Sequence, residues 1–341
     1  MSVSALHLSA DFDPARPLRA GTRGSPLARQ QTQLVVSALS ASWPGFCWSE
    51  EVIETSGDRV RDRRLAEIGG KGLFTQEIDE ALLAGRLDFA VHSLKDLETE
   101  LPAGIVLACT LPRADPRDAL VIDPRYLPEE RPIAFPMLPV RARIGTASVR
   151  RQAQLLHARP DLRVGLIRGN VQTRLNRLEE GNFVATLLAV AGMERLGLMS
   201  QTDLSTETHL IHHARSGPRI VVLAPETMVP AAGQGIIAVT ARADDRRTLS
   251  LLAAINDGTA WAAARAERAV LRALDGSCRT PIGAHARMLP NRELLLTAMA
   301  ARAHGSFLIK RWRRGPAAEA DALGADLGAS LRRTCPEDIF S

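Results

Sequence analysis

The feature that most constrains the fold of this chain is one short pattern used twice. LRAGTRGS at residues 18–25 is echoed by ARIGTAS at residues 142–148. Each copy reads as a strand, a Gly-Thr turn and a serine placed to cap a helix, and Pro26 suits the first helical position. After the first copy Leu27, Leu34, Val35, Ala38 and Leu39 recur at helical spacing. A second strand is expected over 47–54. Gly69-Gly70-Lys71-Gly72 then reads as a flexible loop into a helix that turns Phe74, Ile78, Ala81 and Leu82 inward and stops at Gly85. A short buried strand over 88–92 delivers Ser93-Leu94-Lys95-Asp96 at its C-terminal end, and residues 184–189 repeat that strand-to-loop step. Two similar, doubly wound α/β domains account for the pattern; chance similarity of two βα units is the alternative. In such sheets the ligand crevice lies beyond the carboxyl ends of the strands.

The rest of the chain fills in around that repeat. Residues 123–140 are rich in proline and read as a connection. Residues 201–219 are polar and irregular; strands over 220–224 and 235–240 suit a return of the chain into the first domain. An Ala/Arg/Glu helix over 259–274, strands near 284–287, 294–300 and 307–313, and a helix over 317–331 make a small α+β domain. The expected division is 17–113 with 218–241 as domain 1, 114–217 as domain 2 and 242–341 as domain 3, after a tail over 1–16. At 341 residues two or three domains are the ordinary outcome.

Composition excludes several classes of function. The longest apolar stretch, 183–193, is far too short to span a bilayer, and residues 1–16 lack the apolar core of a secretory signal. The expectation is a cytoplasmic protein with no membrane partner. Four scattered cysteines without a CxxC pair favour reduced thiols. The net charge is +5, but aromatic residues are only 4% and no dense basic run carries them, so nucleic acid is not expected. Lysine is rare: Lys71, Lys95 and Lys310 stand among 43 basic residues, a weak pointer to places where a compact ammonium is wanted, since Lys310 sits in an ordinary charged strand. A small anionic ligand fits this balance.

The arginines carry most of the chemistry. Arg23 lies in the first strand–helix turn, Arg150 and Arg151 open a helix behind Thr146-Ala147-Ser148, Arg168 leads Gly169-Asn170, Arg174 follows one turn later, and Arg195 follows the 184–189 strand. Guanidinium forks beside turns and helix starts are suited to carboxylates, because backbone N–H groups and the helix dipole add to them. Cys278 sits among small residues with Arg279 next to it, a setting that can lower a thiol pKa. His209, His212 and His213 occupy a polar segment without a cysteine nearby, and no metal site is expected. Neither a GxxxxGK[ST] loop nor a GxGxxG after a strand is present.

Taken in order, nine segments resemble the porphobilinogen deaminase family over about residues 18–331: GTRGSPLA (21–28), GGKGLF (69–74), VHSLKD (91–96), DPRDA (115–119), GTASVRR (145–151), RGNVQTRL (168–175), LAVAGMERLGL (188–198), AGQG (232–235) and LDGSCRTPIG (274–283). The resemblance implies two periplasmic-binding-protein-like lobes around a catalytic cleft and a third domain. One dipyrromethane cofactor per chain is expected as a thioether on Cys278. It further implies head-to-tail joining of four porphobilinogen molecules with loss of ammonia, giving hydroxymethylbilane for tetrapyrrole and heme biosynthesis, by a monomer. Asp96 matches the catalytic aspartate. Lys95, Thr146, Ser148, Arg150, Arg151 and Arg174 match cofactor contacts. Arg23, Ser25, Arg168 and Arg195 match substrate contacts, with Lys71 and Phe74 in the loop over the cleft. The chemistry agrees: each pyrrole bears an acetate and a propionate, and loss of ammonia creates a cationic azafulvene that a carboxylate can stabilise.

Some positions depart from the family pattern: Glu67 stands where a lysine is usual, Leu97-Glu98-Thr99 follows the aspartate, and Ser277, Arg279 and Thr280 surround the cysteine. The main rival is a two-lobed anion receptor, which leaves Cys278 and the third domain without a task.

Overall fold

The computed structural model describes residues 16–59, 72–126, 138–199, 210–212, 218–276 and 280–340. Strands β1 (Leu18–Thr22), β2 (Trp48–Val52), β3 (Phe89–Ser93), β4 (Ile105–Thr110) and β11 (Ile237–Arg242) form one sheet in the order β2-β1-β3-β11-β4. Its first three strands are parallel, and β11 runs against both neighbours. Strands β5 (Asp118–Ile122), β6 (Arg143–Gly145), β7 (Arg163–Gly165), β8 (Ala185–Ala189), β9 (Leu210–His212) and β10 (Arg219–Leu223) form a second sheet in the order β7-β6-β8-β5-β10-β9. There β5 runs against β8 and β10. The two sheets therefore share one plan: three parallel strands, then an antiparallel strand at one of the two places where the chain crosses between lobes.

Both sheets are covered on two faces, which is the doubly wound expectation. Along β3, Phe89 and Val91 enter one core and Ala90 the other. Along β5, Leu120 and Ile122 enter one core while Ala119 and Val121 enter the opposite one. The helix caps expected from the repeat are present. Ser25 Oγ accepts from the Ala28 N–H at 3.2 Å, opening the helix Pro26–Ser42, and Ser148 Oγ accepts from Arg151, opening Val149–Ala158.

The third unit is the antiparallel sheet β12 (Ile282–Met288), β13 (Glu293–Ala301) and β14 (Leu308–Pro316), with the helices Gly258–Ala273 and Ala320–Arg332 against it. The helices touch backbone to backbone at Gly324, where a Cβ would stand 2.2 Å from the Ala266 carbonyl oxygen.

Four expectations need correction. The crossings between the first two sheets run through 111–117 and 224–236, not through 123–140, since Asp118 already opens a strand of the second sheet. Strand β10 belongs to that second sheet and not to domain 1 as the 218–241 boundary implied; its buried RIVVL could serve either sheet, and only pairing decides. Residues 246–255 belong with the first lobe, not the third domain, because Leu251 and Leu252 enter the core beneath β1 and β3. Finally, Leu34 is exposed; the inward face of the first helix is Ala28, Gln31, Thr32, Val35, Val36 and Leu39, a stripe that includes two polar residues.

Candidate active-site cleft

The Lys95–Asp96 pair is presented by a tight turn, Leu94–Asp96, at the end of β3. Leu94 and Leu97 anchor it from either side, both buried in the core shared with the third unit. The turn is also held from the return crossing: the Leu94 N–H donates to the Ile236 carbonyl at 3.0 Å, and Gly233, with φ +75°, lies so close that a Cβ would stand 2.6 Å from Leu94. Lys95 Nζ donates to Gln234 Oε1 at 3.3 Å. Its pKa is drawn down to about 8, chiefly by burial; Arg151 and Arg150 add to the fall and Asp96 and Asp118 oppose it. The Asp96 carboxylate stays partly open and lies 4.0 Å from Arg23 Nη1.

Across the cleft, Arg174 on the helix Val171–Glu179 donates from Nε to the Gly169 carbonyl. It is drawn down to about 10 by burial and by Arg151 and Arg168, with Asp96 opposing from the other lobe. Arg195 ends the helix Val190–Arg195 and donates to the Gly235 carbonyl at 2.6 Å; burial draws it down to about 10 as well. Its place in the last turn means that a helix N-terminus does not assist it, contrary to the sequence reading. Thr146 Oγ1 accepts from the Ser148 N–H, so both hydroxyl residues shape the turn as well as line it.

Two groups of arginines are already engaged. Arg23 forms a two-point pair with Asp58, which also accepts from Thr55, and stacks over the Phe74 ring at 4.3 Å. Arg150 and Arg151 both converge on Asp118, a wholly buried carboxylate at the first residue of β5, at 2.7 Å each; Gln234 adds a third donor at 3.0 Å. Burial alone would raise Asp118, but the two guanidinium groups outweigh it and hold it well below the usual carboxylate range. Arg151 turns Nη1 to the Leu187 carbonyl, whereas Arg150 Nε is buried without a partner among the described residues. These two arginines thus floor the cleft and tie the second lobe to the return crossing.

Asp118, Asp58 and Gln234 were not singled out from sequence. A carboxylate heading the apolar strand DALVI was the available signal for Asp118. Lys71 and Cys278 lie outside the described residues, as do Glu67, Ser277, Arg279, His209 and His213. The departure at Glu98 has a visible consequence: its Oε1 accepts from the Gly72 N–H at 2.6 Å, while Thr99 Oγ1 donates to the Gly276 carbonyl at 2.9 Å. The 97–99 turn therefore links Gly72, at the end of the glycine loop, to the stem of the Cys278 loop.

Two α/β lobes, a hinge of two crossings and a crevice crowded with cations define an α/β enzyme of the kind that handles a polyanionic substrate. The comparisons with known proteins are specific. The family model described as porphobilinogen deaminase, dipyromethane cofactor binding domain matches residues 18–250, and that of the porphobilinogen deaminase C-terminal domain matches 261–333. A porphobilinogen deaminase of Paracoccus denitrificans is 47% identical over 96% of this chain and 97% of its own length, and one from Roseiflexus castenholzii 45% identical over 92% and 95%. Among solved structures, the periplasmic VFT2 domain of Bordetella pertussis BvgS is similar at a TM-score of 0.40 and 12% identity, over 70% of this chain and 86% of that one. The chain belongs to the porphobilinogen deaminase family. It is a transferase of tetrapyrrole biosynthesis that condenses porphobilinogen to hydroxymethylbilane, and its family carries a dipyrromethane cofactor.

Among the described residues no helix is long and apolar enough to cross a membrane.

Proposed function

We propose that Asp96 is the catalytic carboxylate of this condensation and that the cleft cations divide their work between cofactor and substrate. The observation that carries this reading is the position of Asp96: a partly open carboxylate at a strand end, 4.0 Å from Arg23 of its own lobe and opposed electrostatically by Arg174 of the other. A carboxylate so placed stabilises the positive charge that develops on the substrate as ammonia departs, and it accepts a proton from a pyrrole nitrogen.

The donor set suits a cofactor bearing several carboxylates. Arg151 works against the charged forms of both Lys95 and Arg174, and Arg168 adds to the effect on Arg174, so the cleft is crowded with positive charge that anionic groups would relieve; Arg150 Nε, buried without a partner among the described residues, adds a further donor. Bound there, dipyrromethane supplies a nucleophilic pyrrole carbon on which the chain grows. Lys95, Thr146, Ser148, Arg150, Arg151 and Arg174 would hold it, and Cys278 would carry it covalently. For porphobilinogen, Arg168 and Arg195 bind acetate and propionate from the second lobe. Arg23 and Ser25 do so from the first, beneath Lys71 and Phe74. Arg23 reaches a substrate carboxylate by exchanging Asp58 for it, one two-point ionic pair in place of another, while Asp58 keeps its hydrogen bond from Thr55. We further propose three domains, with 18–113 and 237–255 as the first, 114–223 the second and 258–340 the third. We also propose that the chain acts as a cytoplasmic monomer without nucleic-acid or membrane partners.

The test is Asp96→Asn. Porphobilinogen consumption by folded, cofactor-loaded variant should fall roughly a hundred- to a thousand-fold, the usual cost of losing one preorganised electrostatic contact. Turnover within about threefold of wild type would overturn the assignment. Intact mass tests Cys278: the wild type should be heavier than its sequence by one dipyrromethane, and Cys278→Ser should remove the increment.

A further inference from the structure

A second crevice, of about 420 Å³, lies away from the Asp96 cleft, where the two crossings meet the third unit. Its walls come from four places: the first crossing (Arg113, Asp115, Arg117), Pro225 of the return crossing, the first turns of the helix Gly258–Ala273, and β12 with His285 and Arg287. Pro116, Pro225, Ala260, Ala263 and Met288 make much of this lining apolar.

The charges sort themselves. Arg113 is neutralised by Glu267, at 2.5 Å, and Arg117 by a two-point pair with Asp115. Arg287 is exposed at the rim and has no carboxylate partner among the described residues. His285 is 8% exposed, faces the crevice, and has no hydrogen bond among the described residues. Burial, reinforced by Arg113 and Arg287 and only partly opposed by Asp115, draws it down to about 3, so its ring is neutral with one N–H to donate. Its ring nitrogens are not among the fully buried unpartnered atoms, so the imidazole can present its N–H to whatever occupies the crevice. None of these groups enters the condensation chemistry.

We propose that this crevice is a second ligand site, taking a small amphipathic monoanion such as an aromatic carboxylate. The apolar walls receive the ring, His285 donates to one carboxylate oxygen, and Arg287 supplies the single uncompensated charge. The volume lies within the ordinary range of small-molecule pockets. A ligand seated there touches both crossings and the third unit at once, and so braces the hinge on which the lobes are carried.

Naphthalene-2-carboxylate is a suitable probe, being flat, monoanionic and unlike the substrate in charge count. Titration calorimetry on cofactor-loaded wild type should give one saturable site. Arg287→Glu, on an exposed strand position that folding does not depend on, should weaken it at least roughly tenfold, and His285→Phe should do likewise while keeping the ring. Arg195→Leu, in the catalytic cleft, should leave it unchanged. No saturable heat up to roughly 10 mM probe overturns the proposal. So does binding that survives Arg287→Glu, or binding that disappears in Arg195→Leu.

Discussion

Replacing Asp118 by asparagine should destabilise the second lobe more than any other single change in the cleft floor. The carboxylate is wholly buried and satisfies Arg150, Arg151 and Gln234 together. An asparagine oxygen can still accept from one donor, but its NH₂ must face a guanidinium, and two buried positive charges lose their counter-charge. Breaking a buried pair by removing one member costs about 3–5 kcal/mol. For a lobe of roughly 110 residues each kcal/mol moves the midpoint by about 4 °C, so the expected fall is on the order of 10–20 °C. Differential scanning calorimetry at pH 7.5, at one scan rate for both proteins, measures it. The pH dependence gives an independent check. Asp118 titrates lower folded than unfolded, so its contribution is whole above about pH 4 and fades as pH falls further. The gap between wild type and variant should therefore be constant from pH 5 to 8, roughly, and close in stronger acid. A midpoint within about 2 °C of wild type at neutral pH would refute the reasoning, because it would mean the two arginines find another partner or water at no cost.

Lys95, drawn down to about 8, should lose its proton across the mildly alkaline range, so capture of the cofactor's carboxylates by the cofactor-free protein should weaken above pH 8; Lys95→Met should abolish that alkaline limb in the pH profile of cofactor acquisition followed by intact mass. Asp79 is raised to about 6 by burial, against the hydrogen bond from Thr75 and with Glu80 and Glu98 adding to the rise. Its folded pKa exceeds the unfolded one, so it stabilises in acid and that stability is lost as pH climbs from about 4 to 6; Asp79→Asn should raise the melting midpoint at pH 7.5 and flatten that loss. Gly235→Ala should cost about 2–4 kcal/mol, measured by chemical denaturation, because φ is +89° and the new Cβ would stand 2.4 Å from the Ala114 carbonyl oxygen.

Much of the fold was legible because local physics states it: serine caps, the Gly-Thr turns, a glycine stop and apolar alternation need no distant partner. Sequence alone therefore determined two like α/β units, an α+β unit, and the family, through motifs whose order along the chain is itself the signal. It also marked the cleft arginines, because their positions at turns are local facts. What it could not determine was ownership and engagement. Whether RIVVL joins the first sheet or the second depends on a pairing energy between strands nearly a hundred residues apart, as with β5. Only tertiary structure decided that Arg150 and Arg151 share Asp118, that Arg23 is held by Asp58, and that Arg195 leans on Gly235, because a guanidinium selects whichever carboxylate or carbonyl the folded chain brings within 3 Å. The same holds for His285. Nothing in PIGAHARM distinguishes a core histidine from one facing a crevice, and that difference exists only where two crossings, a helix and a strand converge.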